Sequence, residues 1–149
     1  MPGKGHFLMG IRQHVDEWLA AHGETVIGWR RHFHTHPELS HQERHTTEFI
    51  TTVLREHGMT PTLFPTTGLM VDIGPGVGPR IAFRADLDAL PIEETAPVAF
   101  RSASPGVMHA CGHDVHTAIV LALACALNTY PLPVGLRFIF QPAEEVMEG

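Results

Sequence analysis

The chain has 149 residues, the size of one ordinary domain, and 44% hydrophobic residues, enough to bury a core. A formal net charge of −6, with 10 Lys and Arg against 16 Asp and Glu, argues against nucleic acid or an anionic membrane as partner. Two cysteines do not make a disulfide framework and fit a reduced, cytoplasmic setting; Met1 to Gly10 lacks the apolar stretch of a signal peptide, and the longest apolar run, Ala118 to Leu127, is too short to span a bilayer.

Ile11, Val15, Trp18 and Leu19 recur at helical spacing, and His22-Gly23 reads as the end of that helix. A second helix is expected through Val26, Ile27, Trp29, Arg30 and Phe33, stopping before Pro37. Ser40 with Glu43 three residues on reads as a capping box. It opens a helix whose inner face is Phe49, Ile50, Val53 and Leu54, closed by Gly58 at the C′ position. The period then shortens. Thr60 to Phe64, Leu69 to Ile73 and Ile81 to Ala85 are expected strands, with Gly74 to Pro79 as a hairpin loop between the last two. Thr117 to Leu127 is apolar nearly all round and predicts a buried helix. Gly135 to Phe140 predicts a central strand. These elements indicate an α/β fold, a mixed β-sheet flanked by helices on both faces.

Four segments carry chemistry. Cys111 and His113, separated by a glycine that permits a tight turn, form a compact pair of metal ligands. His116 lies one helical turn beyond His113 and could be a ligand, an outer hydrogen-bond donor or a proton relay, while Asp114 reads as a cap at the helix start. Glu144 and Glu145 follow an apolar strand, where open α/β sheets collect ligands. A bend there would let one carboxylate bind metal and the other reach water. Asp86, after the Ile81 to Phe83 strand, can hold a ligand histidine in the correct tautomer, with Arg84 as its partner; Asp88 reads as a turn residue. His32, His34 and His36 fall before Pro37 without a shared helical face and read as a structural corner.

Four of the chain's segments together resemble the M20 metallopeptidase family, and within it the N-acyl-amino-acid amidohydrolase and hippurate hydrolase branch. They are Trp29-Arg30-Arg31 with His34 and Pro37-Glu38-Leu39-Ser40, Arg84 to Pro91, Met108 to Thr117, and Gln141 to Glu145. The resemblance implies a zinc-exopeptidase-like catalytic domain. Residues 1–149 would be its N-terminal part, with the C-terminal part and a second domain for lid closure and dimerisation lying outside. It implies a site for two divalent ions, zinc or manganese, with cobalt or nickel possible. Cys111, His113 and Glu145 carry over as ligands, Glu144 as general base and Asp86 as the supporting Asp. The implied reaction is hydrolysis of an N-acyl amino acid, a small molecule, by a homodimer in its full-length form. Two other readings stay open: a carboxypeptidase or dipeptidase of the same family, and a shortened, non-catalytic remnant with weak or no metal binding.

Overall fold

A computed structural model describes residues 4–149, with side chains from Gly10 onward. Its first helix, α1 (Lys4–Thr35), runs unbroken through Gly23, so the two helices expected there are one. A glycine in a helix interior costs about 1 kcal/mol relative to alanine. Packing offsets it, because Val15, Trp18, Val26 and Trp29 on either side of Gly23 all lean on the core. A side chain at Gly23 would meet nothing, which places this position on the open side.

The second helix, α2 (Arg44–Glu56), buries Ile50, Val53 and Leu54 as expected. Its start differs from the capping-box reading. Glu38 supplies the cap instead: its carboxylate accepts the backbone N–H groups of His45 at 3.1 Å and Thr46 at 2.8 Å. Ser40 donates to Asp88, and Glu43 is fully buried against other partners. Tertiary acceptors won over the local pair. The other end follows the sequence, since Gly58 at φ +77° directs its own N–H to Arg55 and that of Met59 to Leu54, both carbonyls of the last turn.

Strands β1 (Thr62–Leu63), β2 (Leu69–Ile73), β3 (Arg80–Asp86) and β4 (Gly135–Gln141) form one sheet in the order β1-β2-β4-β3. The sheet is mixed: β4 is antiparallel to β2 and parallel to β3. Gly74 to Pro79 is therefore a crossover rather than a hairpin loop. It passes over the start of β4, where Gly135 leaves room; a Cβ there would lie 2.8 Å from the Pro75 carbonyl. The place between β2 and β3 goes to β4, which arrives some fifty residues later and so is invisible to local turn rules.

Leu69, Val71, Leu136, Phe138 and Phe140 share the covered face, and helix α3 (His113–Asn128) packs on it with α1 outside. Each such large apolar side chain contributes roughly 1.5–3 kcal/mol by leaving water. The α/β reading with a mixed sheet holds, with helical cover on one face among the described residues. The opposite face, with Arg80, Ala82, Arg84 and Asp72, is open to solvent, and Arg137 forks onto Asp72 there at 2.8 Å through two nitrogens. No helix among the described residues is long and apolar enough to cross a membrane.

Candidate metal centre

Because β3 and β4 are parallel neighbours, their carboxyl ends open at the same edge of the sheet. The first continues from Asp86 to Asp88; the second leads through Gln141, Pro142 and Ala143 to Glu144 and Glu145 in a single turn of 3-10 helix. Helix α3 begins beside them at His113, preceded by Gly112 at φ +84°, a left-handed conformation that glycine adopts without strain. That reversal puts Cys111 and His113 on one centre, as their spacing predicts.

Two groups of ligand-type atoms result, each with all members within 4.8 Å of one another. One is Cys111, His113 and Glu145; the other is Asp86, His113 and Glu144. His113 belongs to both. Four carboxylates meet here, and two buried oxygens, one each on Asp86 and Glu145, have no hydrogen-bond partner, while Asp88 turns its second oxygen to His113 Nδ1 at 3.5 Å. Unpaired buried acceptors are costly in isolation and fit a cation shared between them.

The electrostatics say the same. The charge on Glu145 is the largest cause pushing the exposed Cys111 thiol above its ordinary range, with burial, Glu144 and Asp86 adding to it. The thiol is not activated by its protein neighbours, so a cation would be needed to make it a thiolate ligand. His113 is pushed up as well, to about 9, chiefly by the Asp88 carboxylate 3.5 Å from its Nδ1. Burial alone would raise Asp88, but the neighbouring His113 ring and hydrogen bonds from Ser40 and the Glu145 amide together bring it to about 2.

Asp88 is the residue the sequence undervalued. It is buried rather than a surface turn, its backbone carbonyl accepts from His113 Nδ1 at 2.9 Å, and its carboxylate accepts the Glu145 N–H at 2.9 Å. The histidine-orienting contact expected of Asp86 is thus made by Asp88. Asp86 is instead held by Arg84 at 3.0 Å through one oxygen, leaving the other unpartnered. The Leu90-Pro91 context hid this, and the only usable signal was the Asp-x-Asp spacing.

Around the centre, His116 is exposed, its ring 6.3 Å from that of His113, and belongs to neither group. Asp114 is more than a cap. It is fully buried, 2.8 Å from His34 Nδ1 and 2.8 Å from Arg30 Nε, although that Arg30 N–H is not aimed at it. His34 reaches Glu94 through its other nitrogen at 3.1 Å, so this histidine ties α1 to α3 and to the 87–112 loop. His32 and His36 are exposed, and the His32 ring stacks on Phe49 of α2 at 4.3 Å, a packing contact between helices. His109 is buried with both ring nitrogens unpartnered, and burial drives it down to about 4.

The sequence profile of peptidase family M20/M25/M40 matches residues 82–149, somewhat less than half of the chain, and this stretch holds every member of both ligand groups. Residues 82–149 carry a domain of this family. The chain's relatives include the N-acetyl-L-cysteine deacetylase of Bacillus subtilis, 50% identical over 131 residues, which are 85% of this chain and 31% of that protein. A putative glutamate–cysteine ligase 2-3 of Rhodococcus jostii is also 50% identical over 127 residues, 85% of this chain but 16% of the ligase. Among solved structures, the Bacillus subtilis YXEP protein, described as a dinuclear metal-binding peptidase of the M20 family, superposes with a TM-score of 0.83 at 46% identity. That match covers 87% of this chain and 38% of the other. The chain therefore spans less than two fifths of each protein it resembles here.

Proposed function

We propose that the chain carries the metal-binding part of a metal-dependent amidohydrolase that cleaves the amide bond of N-acyl amino acids, hippurate-like compounds among them. The observation that carries the proposal is the pair of ligand groups sharing His113, with an adjacent glutamate in each. The relative named as an N-acetyl-L-cysteine deacetylase supports the substrate class, since removal of that acetyl group breaks an N-acyl amide. His113 has one nitrogen free and ligates one ion, so a second ion would rest on Asp86 and Glu144 of the other group; the neighbour described as dinuclear supports that number. Carboxylate, imidazole and thiolate donors together suit zinc or manganese, with cobalt and nickel close behind.

In this reading Cys111, His113 and Glu145 hold one cation, and Asp86 and Glu144 face the second position. A bound divalent cation supplies charge that acidifies water and polarises an amide carbonyl. Glu144, the more exposed of the two glutamates at 38% of its side chain, takes a proton from water and returns it to the leaving amine nitrogen. Asp88 keeps His113 oriented and fixes the backbone of Glu145. Residues 1–149 are then the N-terminal part of a catalytic domain, in keeping with their share of the relatives. The complete protein is a homodimer in this reading, and its setting is the cytoplasm, a reducing compartment to which the two free cysteines are suited.

The test is a chimera in which this chain replaces the matching third of the Bacillus subtilis deacetylase, assayed with N-acetyl-L-cysteine and hippurate in the presence of zinc or manganese. Metal-dependent release of the free amino acid is expected. A folded, metal-loaded chimera without turnover would favour a non-catalytic remnant, and turnover confined to dipeptides would favour a peptidase.

A further inference from the structure

We infer that Glu43, which belongs to neither ligand group, is a positioning residue for Glu144 and Glu145. The inference rests on the reading above that those two side chains act at the metal centre. Glu43 is fully buried, and both of its carboxyl oxygens are engaged: one accepts the Thr67 hydroxyl at 2.7 Å, the other the backbone N–H of Ala143 at 2.8 Å. Ala143 is the residue that turns the chain out of β4. It is fully buried and has φ +54°, in the left-handed region that a non-glycine residue occupies only when its surroundings hold it there.

The surroundings are built for this. Gly68 lies against the same turn so closely that a Cβ would sit 2.6 Å from the Phe140 carbonyl and 2.7 Å from Pro142 Cδ. The Gly68 N–H is fixed by the Thr47 hydroxyl at 2.8 Å, one turn along α2 from Glu43. On the far side, Asp88 accepts the Glu145 N–H at 2.9 Å and is itself bonded by Ser40 at 2.7 Å. The two-glutamate turn is thus clamped at both ends by side chains from the 40–43 segment, one directly and one through Asp88. Leucine would fill the volume of Glu43 but leave the Ala143 N–H buried without an acceptor. Glutamine would keep an acceptor for it and could donate its amide to Thr67. The prediction is therefore specific to hydrogen-bond capacity, not to bulk.

Four forms of the 149-residue chain separate positioning from simple stability: wild type, Glu43→Gln, Glu43→Leu and the core variant Leu54→Ala. Deuterium exchange of the Ala143 and Glu145 amides is followed by NMR without metal, and Zn2+ binding by calorimetry. In wild type and Glu43→Gln the Ala143 amide is protected and zinc affinity is similar. In Glu43→Leu the Ala143 amide exchanges freely and zinc affinity falls by roughly tenfold or more, the usual effect of losing a group that orients ligands. In Leu54→Ala both readouts stay at wild-type level. Free exchange of Ala143 in wild type, retained protection in Glu43→Leu, failure of Glu43→Gln to rescue, or equal zinc loss in Leu54→Ala would each overturn the inference. Wild-type zinc binding that survives Cys111→Ala would instead sink the metal-centre reading, while the exchange data would still decide whether Glu43 holds the turn.

Discussion

The Nδ1–H of His113 donates to the backbone carbonyl of Asp88 at 2.9 Å, and the Asp88 carboxylate lies 3.5 Å from the same nitrogen. A carbonyl can only accept, so this contact assigns a proton to Nδ1 and leaves Nε2, 3.8 Å from Glu144, as the nitrogen free for a cation. The orienting partner and the ligand are thus two faces of one ring.

The first prediction follows from the charge state of that ring. With His113 pushed up to about 9 by Asp88 and the Cys111 thiol pushed above its ordinary value by Glu145, both are protonated at neutral pH in the metal-free chain. Binding zinc through both must expel one proton from each. Calorimetry in buffers of different ionisation enthalpy at pH 7 is expected to read a release of close to two protons. The count should fall toward one as pH rises through about 9, where His113 loses its proton unaided. A value near zero at pH 7 would remove at least one of the two residues from the ligand set.

The two glutamates are expected to fail in different ways. In the deacetylase chimera, Glu144→Gln keeps its metal and loses roughly two to four orders of magnitude in kcat, the usual effect of removing a general base. Glu145→Gln weakens metal affinity, and excess metal restores part of the activity. Metal analysis beside kinetics distinguishes them, and the opposite pattern would exchange their roles.

Helix existence, the strand bounds of β2 and the central place of β4 were legible in the sequence, because each rests on a local hydrophobic period. So was the convergence of Cys111, His113, Glu144 and Glu145, since a ligand pair at a helix start and carboxylates at a strand end announce themselves by spacing. What escaped was tertiary. Gly23 would end an unsupported helix, but Val15, Trp18, Val26 and Trp29 on either side of it pack against the core and carry α1 through. Ser40 and Glu43 have the spacing of a cap, but Asp88, Thr67 and Ala143, from 24 to 100 residues away, claim their side chains. Asp88 looked like a turn because its partners, His113 and Glu145, lie 25 and 57 residues on.

A third prediction concerns the buried network behind the centre. Asp114→Ala would leave His34 and Arg30 facing a void where a carboxylate had been. The expected loss is on the order of 3 kcal/mol, in the range for removing one partner of a buried ion pair. Arg30→Ala should cost less, because the Arg30 side chain keeps 30% of its exposure and its loss leaves Asp114 still paired with His34. Urea denaturation midpoints of the two variants check the order. Equal and small losses would mean that the network contributes little.

X-ray absorption spectroscopy on the zinc-loaded chain tests most directly whether Cys111, His113 and Glu145 form the centre. Zinc held by one thiolate and by nitrogen and oxygen donors should show a single sulfur scatterer at about 2.3 Å and the remaining donors at about 2.0–2.2 Å. The sulfur shell is expected in the wild-type chain and is expected to vanish in Cys111→Ser, with zinc content falling too. A spectrum of nitrogen and oxygen scatterers alone in the wild-type chain, or a sulfur shell that persists in Cys111→Ser, would contradict the proposed site.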